Sequence, residues 1–255
     1  MPGGFSTIIC AMPSEARFAS AARGRVAHMA FHIGAEMALL QTGGLPPGGG
    51  LMSLDDGSYD NSPGDAGRLA DECLSLCRGM GLEGLVCDFE QPPQRTLEAF
   101  IAQGAELFSA RGMSFYVPEK YASVHGGAKI FISTAITSGS LRSLLAEKAE
   151  RYGARRLALE LEKVCRDITL PAPSGMGAPL AKEKLDEMLK ARGGAAFFSA
   201  ELCARYFTLK DDAGRTHFIL FDDASTFRQK VSVALSLGIR EGFVLYPDAD
   251  AAFGN

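Results

Sequence analysis

Two acids separated by one residue close an apolar run in Glu83-Gly84-Leu85-Val86-Cys87-Asp88-Phe89-Glu90. Read as a β-strand, the run points successive side chains to opposite faces, so Val86, Asp88 and Glu90 share one face and Leu85, Cys87 and Phe89 the other. Two carboxylates at the C-terminal end of a buried strand stand where parallel α/β folds bind their ligands. In a closed cleft they cannot both ionise freely, because desolvation and like-charge repulsion raise one pKa. A carboxyl that keeps its proton near neutral pH can serve as a general acid. The same residues also allow a blander reading, in which Asp88 and Glu90 pair with Arg or Lys, or cap neighbouring loops.

Further acids would crowd the same mouth: Asp55, Asp56 and Glu119, with Glu160 or Glu162 as additional options. A divalent ion takes oxygen ligands of this kind, but nothing in the spacing fixes a ligand set, and no metal or cofactor is expected. Tyr116 and Tyr246 lie near strand ends, where an aromatic ring can stack on a sugar face or pack in the core. His28 and His32 fall on one face of a predicted strand. Four residues of strand span roughly 13 Å, too far to share an ion, so both are expected to pack in or above the core.

The elements that must hold these side chains alternate along the chain. Strands are predicted at Ser6–Met12, Arg25–Ile33, Gly50–Leu54, the acid-bearing stretch, Met113–Val117, Lys129–Ile136, Arg156–Leu161 and Gly242–Tyr246. A small-residue helix with Glu15, Arg17 and Arg23 follows the first strand. Other helices are predicted over Asp65–Met80, Thr96–Arg111, Ser140–Tyr152, Leu180–Arg192 and Ser225–Leu237, several closed by glycines such as Gly81, Gly153 and Gly238. Breaker-rich passages run over Gly43–Gly50 and Leu170–Pro179. Two alternating runs, Arg205–Leu209 and Thr216–Phe221, flank Lys210-Asp211-Asp212-Ala213-Gly214 and read as a hairpin. Ala195–Leu202 is apolar and could be a strand of its own. Eight strands joined mostly by helices predict a single (β/α)8 TIM barrel over residues 1–255, with a small β-hairpin insertion near the C-terminus. A doubly wound open sheet is the alternative.

Composition narrows the function classes. The 255-residue chain is 47% hydrophobic and 22% charged, which is ordinary for a globular protein. Its net charge of −4 does not favour a nucleic-acid surface. No apolar run reaches the roughly 18 residues of a membrane span. The first residues lack a basic segment followed by a long apolar one, so no secretory signal is evident and a cytoplasmic location is expected. Six scattered cysteines with no Cys-x-x-Cys pair read as buried thiols. Trp is absent.

The acid-bearing stretch resembles the fourth-strand signature of the family 18 glycoside hydrolases, Asp-x-x-Asp-x-Asp-x-Glu. A second stretch resembles the same family's C-terminal hairpin, helix and last strand: Tyr206-Phe207-Thr208, Asp211 to His217, Phe221-Asp222-Asp223-Ala224-Ser225, Lys230, Gly238 and Gly242-Phe243-Val244-Leu245-Tyr246. The likeness is nearest to the branch with spore-cortex glucosaminidases, which includes proteins deposited in spores without a signal peptide. The resemblance implies a retaining, substrate-assisted glycosidase acting on β-linked N-acetylglucosamine-containing glycans such as peptidoglycan or chitin fragments, with a carbohydrate as partner and neither nucleic acid nor membrane. It implies Glu90 as acid/base and Asp88 as partner of the substrate's acetamido group. From their strand-end positions, Tyr246, Tyr116, Asp55 and Glu119 are expected as substrate-binding residues around them.

The chain departs from the family pattern at several points. Glu83 stands for the signature's first acid and Val86 for its second. The sixth strand ends Ile132-Ser133-Thr134-Ala135-Ile136-Thr137, where the family has a tyrosine and an acid. The third ends Ser53-Leu54-Asp55-Asp56 in place of Ser-x-Gly-Gly, and Tyr246 matches the final-strand tryptophan. These departures support a second expectation, a barrel that binds glycan or a protein partner without turning it over. A third is an enzyme of unrelated chemistry using Asp55, Asp56 and Glu119 on the same barrel.

Overall fold

The computed structural model describes residues 4–19, 24–44, 49–172 and 177–253. In chain order it contains β1 (Ser6–Ala11), α1 (Ala16–Ala19), β2 (Arg25–Ile33), β3 (Leu39–Gln41), β4 (Leu51–Asp55), α2 (Ala66–Met80), β5 (Gly84–Asp88), α3 (Arg95–Ser109), β6 (Ser114–Pro118), β7 (Lys129–Ser133), α4 (Leu141–Tyr152) and β8 (Leu157–Glu160). There follow β9 (Cys165–Leu170), β10 (Ala178–Pro179), α5 (Lys182–Ala191), β11 (Phe197–Ser199), β12 (Ala204–Lys210), β13 (Thr216–Phe221), α6 (Ala224–Ser236), β14 (Glu241–Leu245) and α7 (Tyr246–Phe253). Arg23 and the centres of the two breaker-rich passages lie outside the described residues.

Eight parallel strands run β1-β14-β8-β7-β6-β5-β4-β2, and pairing of β1 with β2 closes the ring. Closure excludes the open doubly wound sheet and gives the (β/α)8 barrel. Each barrel strand sends a buried apolar or aromatic residue into the lumen: Ile8, Ala27, Leu51, Val86, Tyr116, Phe131, Ala158 and Phe243. The opposite faces of the strands bury Leu85, Cys87, Ile130, Ile132, Leu157 and Val244 against the surrounding helices. The alternation of apolar side chains along each strand is thus satisfied on both faces, as a barrel requires. Gly84 is needed where β5 meets β6, because a Cβ there would fall 2.2 Å from the Ser114 carbonyl oxygen.

The helices are set by their caps. Asp65 accepts hydrogen bonds from the Gly67 and Arg68 amides to start α2, and Gly81 ends it at φ +67°. Ser140 caps α4 through the Ser143 amide. Asp223 and Thr226 form a reciprocal capping box at the start of α6.

Two departures from the predicted elements have physical causes. The insertion between β8 and β14 is larger than a hairpin. The predicted β12–β13 hairpin is there, but β9, β10 and β11 extend it to a five-stranded antiparallel sheet, with Ala195–Leu202 contributing β11. Helix α5 covers one face of it through Leu185 packed with Phe207, Ile219 and Phe221. The other face packs through Ile168, Ala204 and Leu220 towards Ala135 and Ile136, the segment after β7. The second departure is in β2, where the register against β4 slips between Met29 and Phe31. This bulge turns the strand's later side chains over, so His28 and His32 do not share a face. His28 is buried, bonded to the Gly49 carbonyl oxygen, with its pKa lowered by burial. His32 stands opposite Asp55 at the mouth.

Candidate active site

A cavity of about 350 Å³ opens at the C-terminal ends of the barrel strands. Val86, Phe131 and Phe243, each a lumen residue, form its floor. Cys10, Met29 and Ser53 line it from β1, β2 and β4, and Val244 and Leu245 from β14. Its polar wall is acidic. Asp88 ends β5 and Glu160 ends β8, and Glu90 and Glu162 each lie two residues beyond those strand ends. The volume falls in the range of small-ligand sites.

The expected sharing of one face by Val86, Asp88 and Glu90 places all three at the cavity, with Asp88 partly buried and Glu90 exposed at the rim. Burial, then the Glu90, Asp55 and Asp56 charges, push the Asp88 carboxyl up to about 6. Burial and the Glu162, Asp88 and Glu90 charges push Glu160 up to about 7. The raised groups are therefore the inner acids of the wall, one on each side of the cavity.

Glu90 is held from behind by Asp56. This carboxyl is fully buried and accepts hydrogen bonds from the Glu90 amide at 2.8 Å and the Gln91 amide at 3.1 Å. The Gln91 side chain returns two bonds, to the Asp56 and Tyr59 carbonyl oxygens, and Lys120 donates to the Gln91 carbonyl at 2.6 Å. Asp56 thus points outward and positions the backbone of Glu90; it does not line the cavity, and it reaches the acidic wall only through its charge on Asp88. Its replacement by alanine leaves two amides without their acceptor, and we expect a loss of about 1–3 kcal/mol in unfolding free energy. If Glu90 is catalytic, the same change lowers kcat by roughly tenfold to 100-fold through misplacement, with Asp56→Asn retaining part of both. Denaturant unfolding and steady-state kinetics on the two variants check this.

The remaining residues singled out by sequence sit elsewhere. Asp55 reaches the mouth but is bonded to His32 Nδ1 at 2.5 Å and does not line the cavity. His32 Nε2 in turn meets the Thr42 hydroxyl at 2.9 Å. Glu119 turns away from the cavity to an ion pair with Lys148 at 2.9 Å, and the Tyr152 hydroxyl donates to it at 3.4 Å. Tyr116 is in the lumen but points down the barrel. Its hydroxyl donates to Glu241 at 3.0 Å, and Glu241 also pairs with Lys129 at 2.6 Å, at the N-terminal ends of β14 and β7. Tyr246 follows the end of β14 and packs outward against the barrel–helix layer. Leu245, half exposed, takes the lumen side of that strand end. Glu83 pairs with Arg25 at 2.9 Å, away from the cavity.

Among the described residues no group of three or more His, Cys, Asp or Glu side chains is arranged to hold a metal ion, and no helix is long and apolar enough to cross a membrane. All six cysteines are free.

The closed parallel barrel is the (β/α)8 fold that the resemblance to the family 18 glycoside hydrolases implies. Solved structures bear out this fold. A chitinase from Chromobacterium violaceum matches with a TM-score of 0.70 at 17% identity, covering 98% of this chain and 96% of that one. The spore cortex-lytic enzyme SleL of Bacillus megaterium matches with a TM-score of 0.65 at 14% identity, covering 96% of this chain and 71% of that one. A mutant chitinase from Cycas revoluta, solved in complex with (GlcNAc)4, matches with a TM-score of 0.59 at 14% identity, covering 94% of each. No family model matches the sequence, and a search of curated proteins found no match.

Proposed function

We propose that the protein is a glycoside hydrolase that cleaves β-linked N-acetylglucosamine-containing glycans, chitin or peptidoglycan fragments, by a retaining, substrate-assisted mechanism. The observation that carries this reading is the placement of Asp88 and Glu90 on one wall of the cavity at the mouth of a family 18-like barrel. In this reading Glu90, at the open rim, protonates the glycosidic oxygen as the bond to the anomeric carbon breaks. The substrate's own acetamido carbonyl oxygen bonds to that carbon and forms a cyclic ion. Asp88, deeper in the cavity, accepts the acetamido N–H and stabilises the positive charge that develops there. Glu90, now ionised, takes a proton from the water that opens the ring, so the product retains its configuration.

The test compares fully N-acetylated chitotetraose with the same oligomer after deacetylation. Cleavage of the acetylated sugar alone, with the β anomer appearing first by proton NMR, is expected. Equal cleavage of both sugars would remove the acetamido nucleophile from the mechanism. Tight binding by calorimetry without cleavage would replace hydrolysis by glycan binding, and absence of both would reject carbohydrate as the ligand.

A further inference from the structure

The cavity holds two acids more than Glu90 and Asp88 require. Glu160 ends β8 with the same parity as the lumen residue Ala158, and two strands, β7 and β6, separate it from β5 in the ring. It therefore faces Asp88 across the mouth, and a ligand held against Asp88 has Glu160 on its other side. The end of β7, where the sequence lacks a tyrosine, braces this acid instead. Thr134 donates from both its amide and its hydroxyl to the Glu160 carbonyl oxygen at 3.0 Å, and the Ser133 hydroxyl donates to Glu162 at 3.2 Å. No Lys, Arg or His stands among the described lining residues. The nearest lysine in sequence, Lys163, turns to Asp248.

The groups facing Glu160 are Asp88 at the end of β5 and Glu90 just beyond it, Glu162 from its own loop and the Cys10 thiol from β1; β14 presents only Phe243, Val244 and Leu245. Burial has raised the Cys10 thiol, so it carries no charge to offset the acids. Asp88 and Glu160, the two carboxyls most shielded from water, cannot both be ionised at modest cost beside Glu90 and Glu162, with no cation among the described lining residues. An amide presents its N–H and its carbonyl in opposite directions. A wall that accepts the N–H at Asp88 leaves the carbonyl needing a donor, and in this cavity a protonated carboxyl can supply one.

We propose that Glu160 is a second working carboxyl of the site, which faces Asp88 across the mouth, holds a proton and donates a hydrogen bond from the β8 side to the acetamido carbonyl of the bound sugar. The assignment rests on the glycosidase reading for its ligand, while the retained proton stands apart from it. A proton held in the folded state and released by the unfolded chain makes a definite sign. Its stabilising contribution is full below the ordinary glutamate range and is lost as pH rises through about 7.

The experiment measures thermal unfolding midpoints and chitotetraose hydrolysis from pH 4 to 9 for the wild type, Glu160→Gln and Glu160→Ala. The midpoint of the wild type is expected to fall between pH 5 and 8 more steeply than that of Glu160→Gln, whose amide cannot titrate. Glu160→Gln, still a donor, is expected to keep hydrolysis within a few-fold and to retain it above pH 7, where the wild type declines. Glu160→Ala is expected to lose about tenfold or more, the scale of one hydrogen bond to a buried polar group. Superimposable midpoint profiles for wild type and Glu160→Gln overturn the retained proton, whether or not the protein hydrolyses the sugar. Hydrolysis by Glu160→Ala at the wild-type rate with an unchanged alkaline limb overturns the donor. A wild type that neither binds nor cleaves chitotetraose overturns the donor together with the glycosidase reading, while the midpoints still judge the proton.

Discussion

Glu90→Gln is expected to lower chitotetraose hydrolysis by about 10²–10⁴-fold, the usual contribution of a positioned general acid, while binding of the sugar stays within a few-fold of wild type. The amide keeps the size of the carboxyl and its place at the rim, but it has no proton of suitable acidity to give the leaving oxygen. Binding should survive because the floor of the cavity, Val86, Phe131 and Phe243, is untouched. Stability should also survive. Glu90 is exposed, and the bonds that fix its backbone run from its amide to Asp56 and do not involve its carboxyl. The measurements are initial rates, calorimetric affinity and a thermal melt on the same preparation. A variant as active as the wild type would remove Glu90 from the chemistry. Asp88→Asn makes a separate comparison. Because burial holds the Asp88 carboxyl up to about 6, its accepting, ionised form is complete only above that pH. Hydrolysis by the wild type is expected to rise as pH increases towards 6 and above, and that limb should disappear in Asp88→Asn.

How far the site could be read from sequence depended on how local each determinant is. The parity of Asp88 and Glu90 follows from strand geometry over five residues, and the cavity carries both. The closed barrel followed from the alternation of strands and helices, since each strand brought the apolar residues for both of its faces. Tyr116 could not be placed in this way. Alternation puts it in the lumen, but whether the ring points up or down depends on Glu241 and Lys129, contributed by other strands. Tyr246 failed by one residue. The strand ends at Leu245, so the lumen-facing position falls there and the tyrosine turns outward to the helix layer. The bulge in β2 leaves no mark in a run as regular as Arg25–Ile33, yet it decides which histidine reaches Asp55. Asp55 and Asp56 look equivalent in sequence. One residue of strand geometry sends the first to the mouth and the second behind Glu90, where it holds the backbone. Glu160 did carry a signal, as the single acid closing the alternation Leu157-Ala158-Leu159. Its partners across the mouth come from another strand and only the closed ring brings them together.

Lys230→Met is expected to destabilise the protein by about 3–5 kcal/mol, the cost of leaving a buried charge without its partner. Lys230 and Asp222 are both fully buried and meet at 2.6 Å. Asp222 carries more than this ion pair. Its carboxyl accepts from the Thr226 hydroxyl at 2.7 Å and from the Val164 amide at 2.8 Å, and its own amide donates to the Val164 carbonyl oxygen at 2.8 Å. Val164 lies just before β9, where the chain enters the inserted sheet, and Asp222 lies just after β13, where it leaves. The carboxyl therefore ties both crossings to α6, and the lysine from that helix neutralises it. Methionine fills the space of the lysine stem but leaves the carboxylate uncompensated. In a chain of this size the loss corresponds to a fall of roughly 6–20 °C in Tm. Adding Asp222→Asn to Lys230→Met should recover part of it, because the amide oxygen still accepts a hydrogen bond and the stranded charge is gone. Full additivity of the two single changes would mean that the groups are not coupled. The clamp also bears on the site, since Val164 follows Glu162 by two residues. In Lys230→Met, amide exchange should quicken first at Glu160–Val164 and in β9, and the acidic wall on the β8 side should lose its order before the β5 side does.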